Sequence, residues 1–558
     1  MAINAKQLLS RNETLKEDRT LWDGFYQDVV DYMRMGKQAP NEDRVAGTQR
    51  HKHYDSTAPH ASKTLALIMA ETLTSKAIQW FGFKIPESSQ FADFNDDQDV
   101  LRWFNDLSKS VNFALQQSNF YVVINEVYED FNSFATVCLY MEEAKLKHKG
   151  FNGLNFRALP ISSYVFAESE SGLVDTVFWE YERTARQMVQ QFGEKNIPDP
   201  VRKSLEKTPD DKFDLVRVVA PAEDIGAKVA SKFTYAHVDI FKDMSTVLDQ
   251  RGYHENPYMV GRWDKASGET RGRGPAMIAM DDIKSLNQLR KLELTGLEKA
   301  VNPSILTGEE GFIGNVKLGG NSIVYSRDPQ NVRLLPTELR LNLSSLKADE
   351  LRRGIRDMYL TDQLNLPSSS RMTAEEIMTR RGEMERLLGP TIARFETEVL
   401  GPMLERAVGI MLRAGAIAPP PEVLNGLDQI DIEYVGQLAR AQRVSEVQSM
   451  QSWLGMIAEW GQLDPDVMQI PDLPAMARLA APILGVPKKG IRGAAETQEK
   501  IGERKQQEAA MLQQQQAAQT AESAGKAAPA MKVLQDGAAN LSDEDKQALI
   551  QQFAGGAA

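Results

Sequence analysis

The sequence lacks the features of a secreted or membrane-spanning protein. It has one cysteine, Cys138, which excludes an intramolecular disulfide and suits a reducing compartment. No apolar run approaches the roughly 18 residues that a membrane-spanning helix needs. The N-terminal stretch MAINAKQLLSRNETLKEDRT turns charged at once and has no apolar signal core. We therefore expect no membrane span and no secretion signal.

An excess of basic residues is also missing. The chain of 558 residues has 65 Lys and Arg against 77 Asp and Glu, so its net charge is −12 at pH 7. This charge argues against a protein that binds nucleic acid through a broad basic face. It remains compatible with a protein past which DNA must move without sticking.

Motifs for nucleotide binding and nucleophilic catalysis are absent. The P-loop pattern occurs nowhere, because Gly525-Lys526 is followed by Ala527. No serine lies in a G-x-S-x-G motif, and Cys138 lies in a stretch typical of a buried strand. We expect no cofactor and no enzymatic activity.

Metal-ligand patterns are weak. His51, His53 and His60 have no spaced fourth ligand, so surface residues are the better interpretation. The acidic stretch FADFNDDQDV lacks the glycine and the terminal glutamate of a calcium loop and favours charge at a helix start. Scattered carboxylates leave a metal-dependent nuclease open as an alternative, but nothing in their spacing favours it. We expect no metal site.

The stretch TRGRGPAMIAMDDIKSL, from Thr270 to Leu286, poses the sharpest question. Glycines before a helix can cradle a phosphate or can form a mechanical joint. The stretch lacks the G-x-G-x-x-G form, and no βαβ unit surrounds it. A joint at Gly272, Gly274 and Pro275, with proline opening the helix and the glycines letting the backbone turn, is the better interpretation.

The part of the chain before this joint is predicted to be α+β. Helical spacing predicts helices over residues 1–35, from 61 towards the pair Trp80-Phe81, over 97–117 and over 120–134. Seven β-rich runs follow, interrupted by one short helix, TARQMVQQFG, with Gly193 as its stop. Helices first and a meandering sheet afterwards indicate an α+β fold that is helical overall.

Helices dominate after the joint. In the first, Ile283, Leu286, Leu294, Leu297 and Val301 share one face, whereas Leu289 and Leu292 lie on others. A strand-like insert and a second helix, from about 344 to 364, follow. A helical hairpin that is apolar on several faces would be poorly buried alone, and copies packed side by side in a ring would cover it.

A very long helical pattern comes next. It opens with a capping box at Thr373 and Glu376, and we expect kinks at Pro390 and Pro402. Two further helical stretches precede an Ala/Gln-rich tail, which is either a helix with little to bury or disordered until it packs on a neighbour.

Several long motifs of this sequence resemble those of the head-to-tail connector, or portal, family of short-tailed phages (podoviruses). They are YDSTAPHASKTLALIMAETLTSKAIQWF, GRGPAMIAMDDIKSLNQLRKLELTGLEKAVNPSIL, MTAEEIMTRRGEMERLLGPTIARFETEVLGPMLERAVGIMLRAG and IDIEYVGQLARAQR. The resemblance extends from about Leu8 to Leu484. It implies a ring, typically of twelve copies, at one capsid vertex, built in the host cytoplasm and retained in the virion. Double-stranded DNA passes through it during packaging and ejection, and its partners would be the terminase large subunit, a tail adaptor, and the major capsid and scaffolding proteins.

The resemblance also implies a division of the chain into named segments. These are a wing at 1–274, stem helix 1 at 275–300, a clip at 301–343, stem helix 2 at 344–364, a tunnel loop at 365–372, a long kinked wing helix at 373–423, a crown at 424–492 and a tail at 493–558.

Cations on the second stem helix and around the tunnel loop are the candidates for facing DNA. They are Lys347, Arg352, Arg353, Arg356, Arg371, Arg380 and Arg381. For each of them, an intersubunit salt bridge or plain solvation is the alternative. For the whole chain, a tail adaptor or other structural ring protein of the virion is the nearer alternative, and a terminase-like ATPase or nuclease the more distant one.

Overall fold

The computed structural model describes most of the chain in two compact units, Met1–Arg440 and Ala441–Ala558. The described residues are 4–34, 37, 53–76, 79–144, 150–226, 230, 232–301, 305–306, 333–334, 341–364, 387–424, 430–434, 437–461, 464, 466–467 and 470–483, with parts of 497–514. Both helices and strands are present, which confirms the α+β class. The limits of the eight segments predicted from the family resemblance stay predictions.

Four helices open the first unit: α1 (Ala5–Tyr32), α2 (Thr57–Leu73), α3 (Gln98–Gln117) and α4 (Phe120–Phe134). The Asp97 side chain caps α3 by accepting hydrogen bonds from the Asp99 and Val100 amides, so the acidic stretch does mark a helix start. The second helix is shorter than predicted. It ends at Leu73, and Phe81 begins strand β1 (Phe81–Lys84).

Two antiparallel sheets follow. The first has the order β3-β2-β9, with β2 at Thr136–Glu143, β3 at Leu154–Leu159 and β9 at Tyr258–Arg262. The second is a five-stranded meander, β4 to β8 in sequence order. Its strands are β4 (Tyr164–Glu168), β5 (Val174–Thr184), β6 (Lys212–Pro221), β7 (Tyr235–Phe241) and β8 (Thr246–Tyr253).

Two short helices interrupt the meander, where one was predicted. The first, α5 (Ala185–Phe192), starts at a capping box in which Thr184 and Gln187 bind each other's backbone amides. It ends at Gly193, whose φ of 80° needs a residue without a side chain. The second, α6 (Asp199–Lys207), has proline in its first turn and was missed.

Helix α4 lies at the centre of the main core. It packs against α2 and against β2 and β3, so it is buried on more than one face. Phe131 of α4 contacts Trp263 and Phe395, with ring centroids 5.1 and 4.9 Å apart. The core therefore joins the N-terminal helices, the three-stranded sheet and the chain after residue 387 into one body.

Helix α7 (Pro275–Val301) follows the joint, and α8 (Leu341–Met358) packs against it. The short pieces β10 (Ile305–Leu306) and β11 (Arg333–Leu334) pair between them. The prediction of one helix from 344 to 364 was wrong in one respect. The chain breaks at Leu360, which has a φ of 55°, before a single turn, α9 (Thr361–Leu364).

The long helical pattern is described from residue 387 to Arg413, and we call this segment α10. It contains Pro390 and, at Glu396–Leu400, a π-helical turn directly before Pro402. The Gly401 amide donates to the Glu396 carbonyl five residues back. The extra residue accommodates a proline that cannot donate, so the irregularity expected near Pro402 is a π-turn. The capping box at Thr373 and Glu376 lies outside the described residues.

One strand and two further helices follow α10 in the chain. Strand β12 (Asp431–Tyr434) pairs antiparallel with β1, a connection that the sequence did not suggest. Helices α11 (Gln437–Trp460) and α12 (Leu473–Ile483) match the two predicted stretches.

Candidate channel helices and their joint

Helix α7 changes surroundings along its length. Its first half is part of the main core, where Ala276, Ala279, Met280, Ile283 and Leu286 are all buried. On α8, Ala348 and Ile355 are buried in the same core, as is Tyr359 just after the helix. The proximal half of the helix pair is therefore held firmly by its own chain.

The other half of the pair is apolar but uncovered. We give the name distal apolar surface to its exposed apolar side chains, which lie on more than one face of the pair: Leu292, Leu294, Leu297, Val301 and Leu346. Their exposed fractions range from 42% for Leu297 to 86% for Val301. Large exposed apolar patches on a soluble chain mark contact sites. The face predicted from Ile283 to Val301 is thus core at one end and solvent-facing at the other.

Two of the cations predicted on α8 have carboxylate partners one helical turn away or just beyond the helix. Lys347 pairs with Glu350 at 2.9 Å, and Arg356 pairs with Asp362 at 3.0 Å. All four side chains are substantially exposed, so these pairs contribute little to stability.

Arg352 is bound more firmly than its neighbours on α8. Its guanidinium donates two hydrogen bonds to Asp55, at 2.8 and 3.1 Å, and one to Asp349. Burial opposes the charge of Asp55, but hydrogen bonds from Thr57 and Arg352 outweigh it and lower the pKa of Asp55. Arg352 therefore ties α8 to the start of α2.

Arg353 differs from these three residues. Its side chain is exposed, and it forms no ion pair with any carboxylate in the described part of the chain. Arg371, Arg380 and Arg381 lie outside the described residues. Contact of any of the seven cations with DNA stays a prediction.

The joint is closely packed, and its glycines serve a purpose other than the one expected. Neither Gly272 nor Gly274 has a positive φ. A Cβ on Gly272 would lie 2.1 Å from the Ala135 carbonyl oxygen, and one on Gly274 would lie 2.8 Å from the Ala135 Cβ. The glycines let the joint approach the turn at which α4 ends, and Pro275 begins α7 as predicted.

Two backbone amides at the joint, those of Gly272 and Arg273, are already bound within the chain. Gly272 N–H donates to Thr136 Oγ1 at 2.9 Å, and Arg273 N–H donates to the Asp264 carbonyl at 2.7 Å. A phosphate cradle needs amides that point to a ligand. The geometry therefore gives the nucleotide interpretation no support.

An ionic cluster that sequence reasoning missed lies beside the joint. The Arg262 side chain is 2% exposed and donates to Glu398 from both Nε and Nη2, the latter at 2.7 Å. Its Nη1 donates to Glu168, which also binds Lys265 at 2.7 Å. Burial opposes the charge of Arg262, but the hydrogen bonds to Glu398 outweigh it and raise the pKa of Arg262. One sign of this cluster is present in the sequence, because a charged residue, Arg262, ends the otherwise apolar strand YMVGR.

This cluster binds the π-turn to strand β9. The Arg262 backbone amide also donates to Glu398, at 2.9 Å, and a Cβ on Gly261 would lie 2.5 Å from Val399. The strand that leads into the joint and the helix that follows the predicted tunnel loop are therefore held together by charge and by close packing.

The described part of the chain shows neither a metal-ligand cluster nor a helix of membrane-spanning character. Among the described residues, no group of three or more histidine, cysteine or carboxylate side chains is arranged to hold a metal. His53 Nε2 lies 2.8 Å from the Tyr32 carbonyl oxygen, and His51 lies outside the described residues. None of the described helices combines the length and the hydropathy that crossing a membrane requires.

The similarity of this chain to known proteins extends over most of its length. The model of the family described as bacteriophage head to tail connecting protein matches residues 5–492. A probable portal protein of Bordetella phage BPP-1 is 26% identical over 500 residues, which cover 86% of this chain and 87% of that protein. The portal protein of Salmonella phage epsilon15 is 26% identical over 540 residues, which cover 92% and 94%. The chain therefore belongs to the bacteriophage head to tail connecting protein family.

Proposed function

We propose that this chain is the portal protein of a phage particle and that twelve copies form a ring at one capsid vertex. Double-stranded DNA enters through the ring during packaging and leaves through it on infection, and the terminase and the tail dock on it. The similarity to two phage portal proteins over most of the chain carries this proposal. Catalysis has no part in the role.

The distal apolar surface supports assembly into a ring. Residues such as Leu294 and Leu297 gain a dry environment only if another molecule covers them, and neighbouring copies in a closed ring would do so. Replacing Leu297 by glutamate would place a carboxylate at that contact, and burying an unpaired charge costs several kcal/mol.

Light scattering and negative-stain imaging of purified protein test the assembly. Wild-type chain should form rings with a central hole, and Leu297→Glu should shift the population to smaller species. Leu173→Glu, at an exposed turn of the meander, is the matched control and should assemble normally. A wild-type chain that stays monomeric at high concentration would refute the ring itself. Normal rings from Leu297→Glu would refute the role of this surface.

The charge of the chain fits a conduit. Twelve copies carry a formal charge of roughly −140, which repels a polyanion and keeps it from adhering to the wall. A few cations then hold DNA at particular positions along the channel. They contact only its phosphates, because a conduit must accept every base sequence. Arg353 is the strongest candidate on α8, since its charge has no described partner, whereas Arg352 serves the fold.

Particles that carry substitutions test the cations. Arg371→Ala combined with Arg380→Ala should leave ring assembly intact and impair retention of packaged DNA. Arg353→Ala should act in the same direction. Lys347→Ala, which removes a cation already paired with Glu350, is the control. If particles with the double substitution stay full, the assignment of these cations to DNA fails.

A further inference from the structure

A cleft outside the helix pair has features of a built binding site. It encloses about 580 Å³ between the ends of β2, β8 and α10, a volume typical of ligand pockets. The rings of Tyr253 and His254 line it, together with charged side chains of both signs. The charged residues are Glu142, Glu143, Arg251, Arg406 and Arg413.

Arg406 is fixed in the wall before any ligand arrives. Its side chain is 4% exposed, and its guanidinium lies over the Tyr253 ring, 5.0 Å from the centroid. Nε donates to the Met141 carbonyl at 3.2 Å, and Nη1 donates to the Glu255 carbonyl at 2.8 Å. In the described part of the chain, no acceptor receives a hydrogen bond from Nη2. This donor is available to a ligand, because contacts within the protein already hold the guanidinium in its orientation.

Arg413 contributes to the wall and has its charge compensated. Both its terminal nitrogens donate to the Glu255 carboxylate, at 2.6 and 2.8 Å. The pair lies across α10 at Gly409, where a Cβ would come within 2.3 Å of Glu255 Oε1. Glycine at this position makes room for the ion pair, which shapes the cleft next to Arg406.

Carboxylates line the cleft together with the arginines. Glu142 accepts a hydrogen bond from the Tyr140 hydroxyl at 2.9 Å, which fixes its direction. Glu143 lines the cleft as well, and Glu255 neutralises Arg413, so charges of both signs are present without a large excess of cations. A phosphate polyanion would gain little at such a site, because nucleic-acid binding relies on an excess of cations.

We propose that this cleft binds a segment of a partner polypeptide that carries an acidic side chain with a basic side chain close to it. The acidic group of the segment pairs with Arg406 and with Arg251, which is exposed on the rim and whose Nε lies 2.6 Å from Asp249. The basic group of the segment pairs with Glu142 and Glu143. This site is independent of the proposed passage of DNA.

Saturation-transfer NMR on the full chain tests the site with four Gly/Ser decapeptides. The first contains a lysine and an aspartate separated by one glycine, two others replace one of these by glutamine or asparagine, and the fourth replaces both. Binding on the order of 1 mM is expected for the first peptide, with about tenfold weaker binding when either charge is removed. Equal signals from all four peptides, or none from the first at millimolar concentration, would overturn the proposal.

Variants then locate the binding. Arg251→Glu and Glu143→Gln should each weaken the first peptide about five- to tenfold. Arg186→Glu, an exposed arginine on α5 outside the cleft, should leave it unchanged. Unaltered binding in both cleft variants would refute the location. Displacement of the peptide by inorganic pyrophosphate in preference to unlabelled peptide would refute the polypeptide ligand.

Discussion

Replacing Gly272 by alanine should loosen the joint, because the added methyl group has no room. Its Cβ would lie 2.1 Å from the Ala135 carbonyl oxygen and 3.0 Å from the Trp263 amide nitrogen. Non-bonded atoms prefer separations of about 3.5 Å, so the joint would have to move away from the α4–β2 turn by about 1 Å.

Two hydrogen bonds cross the contact that would open. Trp263 N–H donates to the Ala135 carbonyl, and Gly272 N–H donates to Thr136 Oγ1, each at 2.9 Å. Overpacking costs about 1–3 kcal/mol, and each weakened hydrogen bond costs about 1 kcal/mol. We expect a total loss of about 3–5 kcal/mol in local stability.

Hydrogen exchange measured by mass spectrometry reports this loss directly. Amides in residues 262–277 should exchange faster by at least about two orders of magnitude, since every 1.4 kcal/mol corresponds to a factor of ten. Gly24→Ala is the matched control, because Gly24 lies in α1 with nothing within 4 Å of its would-be Cβ. That change should stabilise α1 by up to about 1 kcal/mol. Wild-type exchange rates at the joint of Gly272→Ala would refute the packing argument.

Three further substitutions have outcomes set by the structure. Glu398→Gln leaves Arg262 buried with one carboxylate fewer and should cost about 3 kcal/mol in unfolding free energy, whereas Asp99→Asn at an exposed pair should change it by less than about 0.5 kcal/mol. Burial raises the pKa of Glu396 from 4.5 to about 7, so the folded chain holds this proton more tightly than the unfolded chain, and stability should fall as pH rises from about 4.5 to 7. Glu396→Gln should flatten that part of the pH profile of thermal unfolding by roughly 2 kcal/mol, and an unchanged profile would contradict the assignment. Thr184→Ala removes one half of the capping box of α5 and should cost about 1 kcal/mol in chemical denaturation, whereas equal stability would show that the cap is dispensable.

Local signals account for the elements that the sequence predicted well. The helix from Phe120 to Phe134 and the cap at Asp97 depend on spacing and on side chains within one turn of each other. Strand β8, TVLDQRGY, is polar and carries a glycine, so only its pairing with β7 makes it a strand. The pairing of β1 with β12 joins segments far apart in the chain, and no local pattern encodes it.

In the candidate site, too, the local features could be predicted from the sequence and the long-range contacts could not. Pro275 as the first residue of α7 followed from a local rule, and so did the apolar character of the distal surface. The partners of Arg352 and Arg262 did not, since Asp55 and Glu398 come from remote segments. A charge within a helical run shows its sequence neighbours only, and tertiary contacts decide whether it is free or bound.

Close packing at the joint changes where movement between the helix pair and the rest of the first unit can occur. Gly272 is wedged against Ala135, and Arg262 is bound to Glu398, so bending there would break a buried ion pair worth several kcal/mol, far above thermal energy. Leu360 is different. It holds a left-handed φ of 55°, which costs a non-glycine residue roughly 1–2 kcal/mol, at the break between α8 and α9. A rearrangement that let this residue relax would release strain, and it would act on the chain immediately before the predicted tunnel loop. For the passage of DNA proposed above, the least costly place for movement is therefore the end of the second helix, and the glycine joint would be the fixed point.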